Sequence, residues 1–192
     1  MRITGGIARG IPLVAPKGDA VRPATDAMRQ AVFSSLAQWV PGATFLDLFA
    51  GSGAYGLEAF SRGAAGGVFV EKDARTAACI RQNITAVCKS LGRGAGDLQV
   101  INADATTVPG GVVPDVVFID PPYAIIPEVA PKLFVRLSEL LLAKTDPLIV
   151  FELPGELTLA PEGWTCVKRL GKGPRQPTVC IFRANRALPS AT

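Results

Sequence analysis

Between residues 44 and 152, short apolar runs alternate with segments of helical spacing, and this rhythm leaves few architectures open. Residues 44–49, 67–71, 98–101, 115–120 and 147–152 are nearly continuous in apolar character, the pattern of strands buried on both faces. Between them a helix begins near Ala54. A second spans 73–91, with Ala77, Ile80, Ile84, Val87 and Leu91 on one stripe, and a third runs from Pro127 or Glu128 to Ala143. Strands alternating with helices give an α/β fold with a mostly parallel sheet covered on both faces. Residues 164–182 read as two more strands around Gly171-Lys172-Gly173-Pro174, a hairpin completing the sheet. Ahead of the rhythm, residues 2–15 read as a short hairpin or extended arm. Thr25 or Asp26 can cap a helix to about Trp39, which Pro41-Gly42 ends. The organisation expected is a basic arm and helix over 1–43, the α/β domain over 44–183 and a tail over 184–192. The length of 192 residues, 48% apolar, suits one core.

The chain has no histidine, which removes imidazole bases, Ser-His-Asp and Cys-His machinery and Cys/His zinc sites together. Its four cysteines, Cys79, Cys88, Cys166 and Cys180, form no CxxC pair, so no metal is expected. No apolar stretch reaches the roughly 18 residues that span a bilayer, and the start lacks a signal-peptide core. A cytoplasmic protein, without a membrane partner and monomeric by default, is the expectation.

Chemistry concentrates at the ends of the predicted strands. After 115–119 stand Asp120, Pro121, Pro122 and Tyr123, at the carboxyl edge where open α/β folds keep ligands. Asp120 and the Pro121 carbonyl can accept hydrogen bonds from an amine on a flat ring. Tyr123 offers a stacking face, and the prolines have no N–H to compete. After 44–49, Gly51, Gly53 and Gly56 satisfy GxGxxG, and Glu71 ends the next strand twenty residues beyond Gly51. That spacing also suits a dinucleotide, so an NAD-dependent oxidoreductase is a competing reading. Asp47, just before the glycines, would repel a diphosphate and attract an ammonium. Asp104, after the third strand, can accept from an adenine amino group. A non-catalytic nucleic-acid-binding module on the same fold is a third reading, against which the intact Asp120-to-Tyr123 group speaks.

Charge is uneven. Residues 1–43 carry five bases and two acids (+3), 44–163 nine and fourteen (−5), and 164–192 six and none (+6), which sum to the net +4. Both ends are candidates for a polyanion: Arg2, Arg9, Arg22 and Arg29 at one, Lys168, Arg169, Lys172 and Arg175 at the other.

Several segments together resemble a known family. They are Arg2-Ile3-Thr4-Gly5-Gly6, Arg22-Pro23-Ala24-Thr25-Asp26, Arg29-Gln30-Ala31-Val32-Phe33, Asp47-Leu48-Phe49-Ala50-Gly51-Ser52-Gly53, Gly56-Leu57-Glu58-Ala59, Ser61-Arg62-Gly63-Ala64 and Asp120-Pro121-Pro122-Tyr123. The chain is similar over nearly its whole length to the bacterial 16S ribosomal RNA guanine-N2 methyltransferases, within the class I S-adenosylmethionine-dependent enzymes. It departs from their usual pattern at Ala24, Gln30 and Ser34. The resemblance implies a Rossmann-like, seven-stranded methyltransferase fold and S-adenosylmethionine bound by Asp47, Gly51, Gly53, Glu71 and Asp104. It also implies a guanine held by Asp120 to Tyr123, and 16S rRNA or a partly assembled small subunit as partner. The Asp120 tetrapeptide alone is shared with adenine-N6 enzymes, so an adenine in DNA or RNA is the alternative target.

Overall fold

The apolar runs pair into one seven-stranded sheet in a computed structural model that describes residues 1–15, 25–107, 113–171, 173–174 and 176–185. The strands are β1 Thr44–Leu48, β2 Gly66–Glu71, β3 Leu98–Asn102, β4 Val116–Ile119, β5 Leu148–Pro154, β6 Trp164–Leu170 and β7 Pro177–Ala184. Their spatial order is β3-β2-β1-β4-β5-β7-β6. The first five are parallel, and β7 runs antiparallel to both β5 and β6. The α/β, Rossmann-like fold expected from the sequence is the fold observed.

Among the described residues, four α-helices cover the sheet: α1 Asp26–Ser35, α2 Ala54–Ser61, α3 Ala74–Leu91 and α4 Ile126–Leu140. The Thr25 hydroxyl caps α1 by accepting from the Met28 N–H at 3.2 Å, and Asp73 caps α3 by accepting from Thr76 at 2.7 Å. Gly92, left-handed at φ +61°, closes α3. Helix α1 is shorter than its apolar spacing predicts. Ser34 and Ser35 turn their hydroxyls back onto the Gln30 and Ala31 carbonyls, a bonding that weakens a helix, and Trp39 is left partly exposed.

Strand alternation divides the core in two. Phe45, Phe69, Phe118, Val150 and Ile181 face α1, α2 and α3, whereas Leu46, Val70, Ile119, Phe151 and Phe182 face α4. Ile3, Ala8 and Leu13 of the arm and Val32, Phe33 and Leu36 belong to the first of these clusters. The arm folds back on itself as a short, irregular hairpin, with the antiparallel bridge Arg2–Pro12 flanked by backbone bonds from Ile3 to Ile11 and from Leu13 to Met1, and lies along α2 and α3. At Gly6 the close approach of backbone leaves no room for a side chain. A Cβ on Gly6, at φ +77°, would stand 1.9 Å from the Ser61 carbonyl oxygen, and one on Gly5 would stand 2.1 Å from the Arg62 guanidinium. Among the described residues, no helix is long and apolar enough to cross a membrane.

Candidate active site

Parallel pairing brings the carboxyl ends of β3, β2, β1, β4 and β5 to one edge. The strand order reverses between β1 and β4, so the crevice of the fold opens between their ends. Gly51 and Gly53 leave β1 there, Glu71 ends β2, Asp104 follows β3 and Asp120 to Tyr123 follow β4. All of these sequence-predicted positions lie along the same edge.

The loop after β1 is strained and tightly held. Phe49, Gly51 and Gly53 all have positive φ, of 58°, 55° and 75°. For Phe49 such a conformation costs about 1–3 kcal/mol, a strain typical of ligand-binding loops. A Cβ at Gly51 would meet only the Phe49 carbonyl oxygen, at 3.9 Å, so its backbone faces open space. The Gly51 N–H donates to Glu71 Oε2 at 3.0 Å, and the Asp73 N–H donates to Glu71 Oε1 at 2.9 Å. Each Glu71 oxygen keeps a further lone pair for a hydroxyl. Asp104 accepts from the Thr106 N–H and hydroxyl and from Lys72, and these bonds hold its carboxyl below the ordinary range. It is an ionised acceptor at neutral pH. This donor set, an open glycine backbone flanked by two partly exposed carboxylates, fits a small molecule with hydroxyls and an amino-bearing ring.

Asp47 departs from its expected role. It is 2% exposed, and its Oδ2 accepts from the Gly56 N–H at 2.9 Å. Burial pushes its pKa up to about 8, against the Gly56 bond and with the Glu71 charge adding to the rise. A carboxyl held largely neutral and turned into α2 supports the loop rather than presenting charge to an ammonium.

Asp120 and Tyr123 differ in what they offer. Asp120 is half-buried, and burial, then the Glu152 and Asp47 carboxylates, push its pKa well above the usual carboxylate range. Pro121 is buried, whereas Tyr123 is 41% exposed and opens a short 3-10 turn to Ile125. Burial, Glu152 and Asp120 raise the Tyr123 phenol, so its ring is neutral and accessible.

The described basic residues differ in exposure. Arg2 and Arg9 are exposed at the arm, and Lys168 is exposed on β6. Arg169 is exposed but donates to the Gly155 and Leu157 carbonyls at 2.7 and 3.0 Å. Arg29 corrects the sequence reading. It is fully buried, donates to the Arg2 carbonyl and to Asp26 at 2.6 and 2.7 Å, and lies 3.9 Å from the buried Glu58. Glu58 in turn accepts from the Thr4 N–H and hydroxyl and from Arg62. Arg29 thus belongs to the joint between arm, α1 and α2, where no polyanion reaches it. Arg22, Lys172 and Arg175 lie outside the described residues.

Sequence reasoning missed Tyr55, Asn83 and Glu152. Asn83, 1% exposed, accepts from the Val14 N–H and donates to the Val14 and Ser52 carbonyls, so it clamps the arm to the glycine loop. Tyr55 donates to Glu152 at 3.0 Å. The available signal was a polar residue inside an apolar pattern, Asn83 between Ile80 and Ile84 and Glu152 between Phe151 and Leu153.

With this geometry in view, comparison with known proteins is decisive. The model of the family Conserved hypothetical protein 95 matches residues 1–181. The chain belongs to this family. Several curated relatives carry the name Ribosomal RNA small subunit methyltransferase D. That of Escherichia coli K12 is 38% identical over 125 residues, and that of Haemophilus influenzae is 32% identical over 178. The first match spans 64% of this chain and about 60% of the relative's length, the second 90% and 89%. A solved structure of a putative methyltransferase, yhhF, from Escherichia coli is 32% identical, with 97% of this chain and 99% of that one covered at a TM-score of 0.74. The family resemblance read from the motifs is therefore borne out.

Proposed function

We propose that this chain transfers a methyl group from S-adenosylmethionine to the exocyclic N2 amine of a guanine in 16S ribosomal RNA. The observation that carries the reading is Asp120-Pro121-Pro122-Tyr123 standing beside the strained glycine loop at the β1/β4 crevice. The names of the relatives support the RNA substrate.

When bound, the donor supplies a methyl group already activated on a sulfonium. Glu71 accepts hydrogen bonds from the ribose and Asp104 accepts from the adenine amine, while the loop held by Asp47 lets its backbone approach. At the acceptor, the difficulty is a nitrogen lone pair delocalised into the ring. Hydrogen bonds from the amine to the Asp120 carboxylate and the Pro121 carbonyl draw that nitrogen toward a pyramidal shape and aim its lone pair, an orientation effect within the upper range of about 7–11 kcal/mol. Asp120, with its raised basicity, stabilises the positive charge that develops and takes the proton the ammonium releases. Tyr123 stacks on the base, which has left its helix. No histidine is needed.

The test is methyl transfer from labelled S-adenosylmethionine to naked 16S rRNA and to partly assembled small subunits, followed by nucleoside analysis. N2-methylguanosine is expected. N6-methyladenosine would change the target base, and no incorporation into either substrate would end the reading.

A further inference from the structure

Glu152 stands at this edge, and no step above uses it. It is 1% exposed within the apolar run of β5. Ile119 pairs with Phe151 in the β4/β5 register, so Asp120 and Glu152 follow side by side. Alternation puts Glu152 on the face of Val150, toward α1 and α2. There the Tyr55 hydroxyl donates to Oε2, and the Tyr55 ring is stacked on Phe118 with centroids 5.5 Å apart, which fixes the hydroxyl. Oε1 is buried and has no hydrogen-bond partner among the described residues. An orphaned buried acceptor costs about 1–3 kcal/mol, a cost that a residue serving the fold alone does not explain.

We propose that Glu152 is a positioning residue of the methyl-acceptor site, standing behind Asp120 and adding negative charge where the amine becomes an ammonium. The inference rests on the methyl-transfer reading. In the step it serves, the carbon–nitrogen bond forms as the sulfur–carbon bond breaks. The nitrogen becomes positive, and its proton passes to Asp120 and then to solvent. The groups facing Glu152 are Asp120 beyond β4, Tyr55 on α2, Arg29 on α1 and Tyr123, with Asp47 on β1 facing Asp120 from the other side. Burial pushes Glu152 up to about 7, against the Tyr55 bond and the Arg29 charge, which favour its anion. The Glu152 anion raises its neighbour Asp120.

Glu152→Gln keeps the shape and an oxygen for Tyr55 but removes the charge. The experiment measures single-turnover methyl transfer to 16S rRNA against pH in the wild type, Glu152→Gln and Tyr55→Phe, with donor affinity and thermal unfolding alongside. Expected for Glu152→Gln is a neutral-pH rate lower by about tenfold or more, the equivalent of one pKa unit. Its acid limb, where Asp120 takes up a proton, moves toward lower pH, and donor affinity is retained. Tyr55→Phe disfavours the Glu152 anion and moves the limb the same way by less. An unchanged limb in folded Glu152→Gln overturns the proposal, and so does a loss of rate explained by lost stability alone. If Glu152→Gln does not fold, the Tyr55→Phe limb decides, and its staying in place overturns the proposal. A wild type that methylates no RNA sinks the methyl-transfer reading itself, a result distinct from any variant's.

Discussion

The Gly56 N–H donates to Asp47 Oδ2 at 2.9 Å, tying the end of β1 to the first turn of α2 across the glycine loop. The Asp47 carboxyl, raised to about 8 in the fold, titrates near 3.8 when free. A folded-state value above the unfolded one means stability that is full below about pH 4 and is lost as pH rises through about 8. Asp47→Asn keeps the acceptor without the proton. From about pH 5 to about pH 9 the wild type should lose stability more steeply than Asp47→Asn, by about 2–5 kcal/mol. Denaturant unfolding across that range checks this, and parallel curves would refute it.

Gly56 serves a second purpose. A Cβ there would stand 2.4 Å from Phe69 Cε1 and 2.5 Å from Phe45 Cε2, two rings buried in the core. Gly56→Ala should cost about 1–3 kcal/mol in urea unfolding. Gly94→Ala, with nothing within 4 Å, is the contrast and should be neutral or stabilising by up to about 1 kcal/mol. Equal effects at the two positions would contradict the packing argument.

Arg29 and Glu58 are both fully buried, so removing one leaves the other under-compensated. Arg29→Ala should destabilise by about 3–5 kcal/mol. With the folded fraction matched, RNA affinity should fall no further than loosening of the arm explains. A variant of native stability with a selective RNA defect would restore Arg29 to the RNA surface.

Asp120→Ala should lower kcat by about 10²-fold or more while leaving S-adenosylmethionine affinity in place, because Asp120 follows β4 and the donor residues follow β1, β2 and β3. Single-turnover transfer and calorimetry on the same preparation separate the two quantities. Wild-type turnover in this variant would remove Asp120 from the mechanism.

Arg9 and Lys168 are exposed cations near the two ends of the chain. If they neutralise phosphates, RNA affinity should fall steeply with salt, and losing each one should reduce the logarithmic salt slope by about one. A slope unmoved by Arg9→Ala and Lys168→Ala would place the RNA elsewhere.

Much of the fold was legible because it is written locally. Thr25 and Asp73 announce helix starts, Gly92 announces a helix end, and each apolar run became a strand within a residue or two of its predicted ends. Departures from the expected lengths have one local cause and one long-range cause. Helix α1 stops early as serine hydroxyls compete for its carbonyls, and the arm's hairpin stays short and irregular as Ile3 and Leu13 bury against the helices. The positions of the candidate site were equally legible, since in a parallel sheet every loop after a strand emerges at one edge.

The sequence by itself therefore determined the order of elements, the edge on which the chemistry collects and the family. Tertiary structure decided which charges are available. Arg29 and Asp47 read as available charges in the sequence and are buried in the fold, whereas Glu152, one acid in an apolar strand, comes to stand beside Asp120. The physical reason is separation along the chain. The Tyr55–Glu152 bond joins residues 97 positions apart, and Thr4 meets Glu58 across 54. No local pattern encodes such pairs, yet in a low-dielectric interior they set the charge state of every group around them.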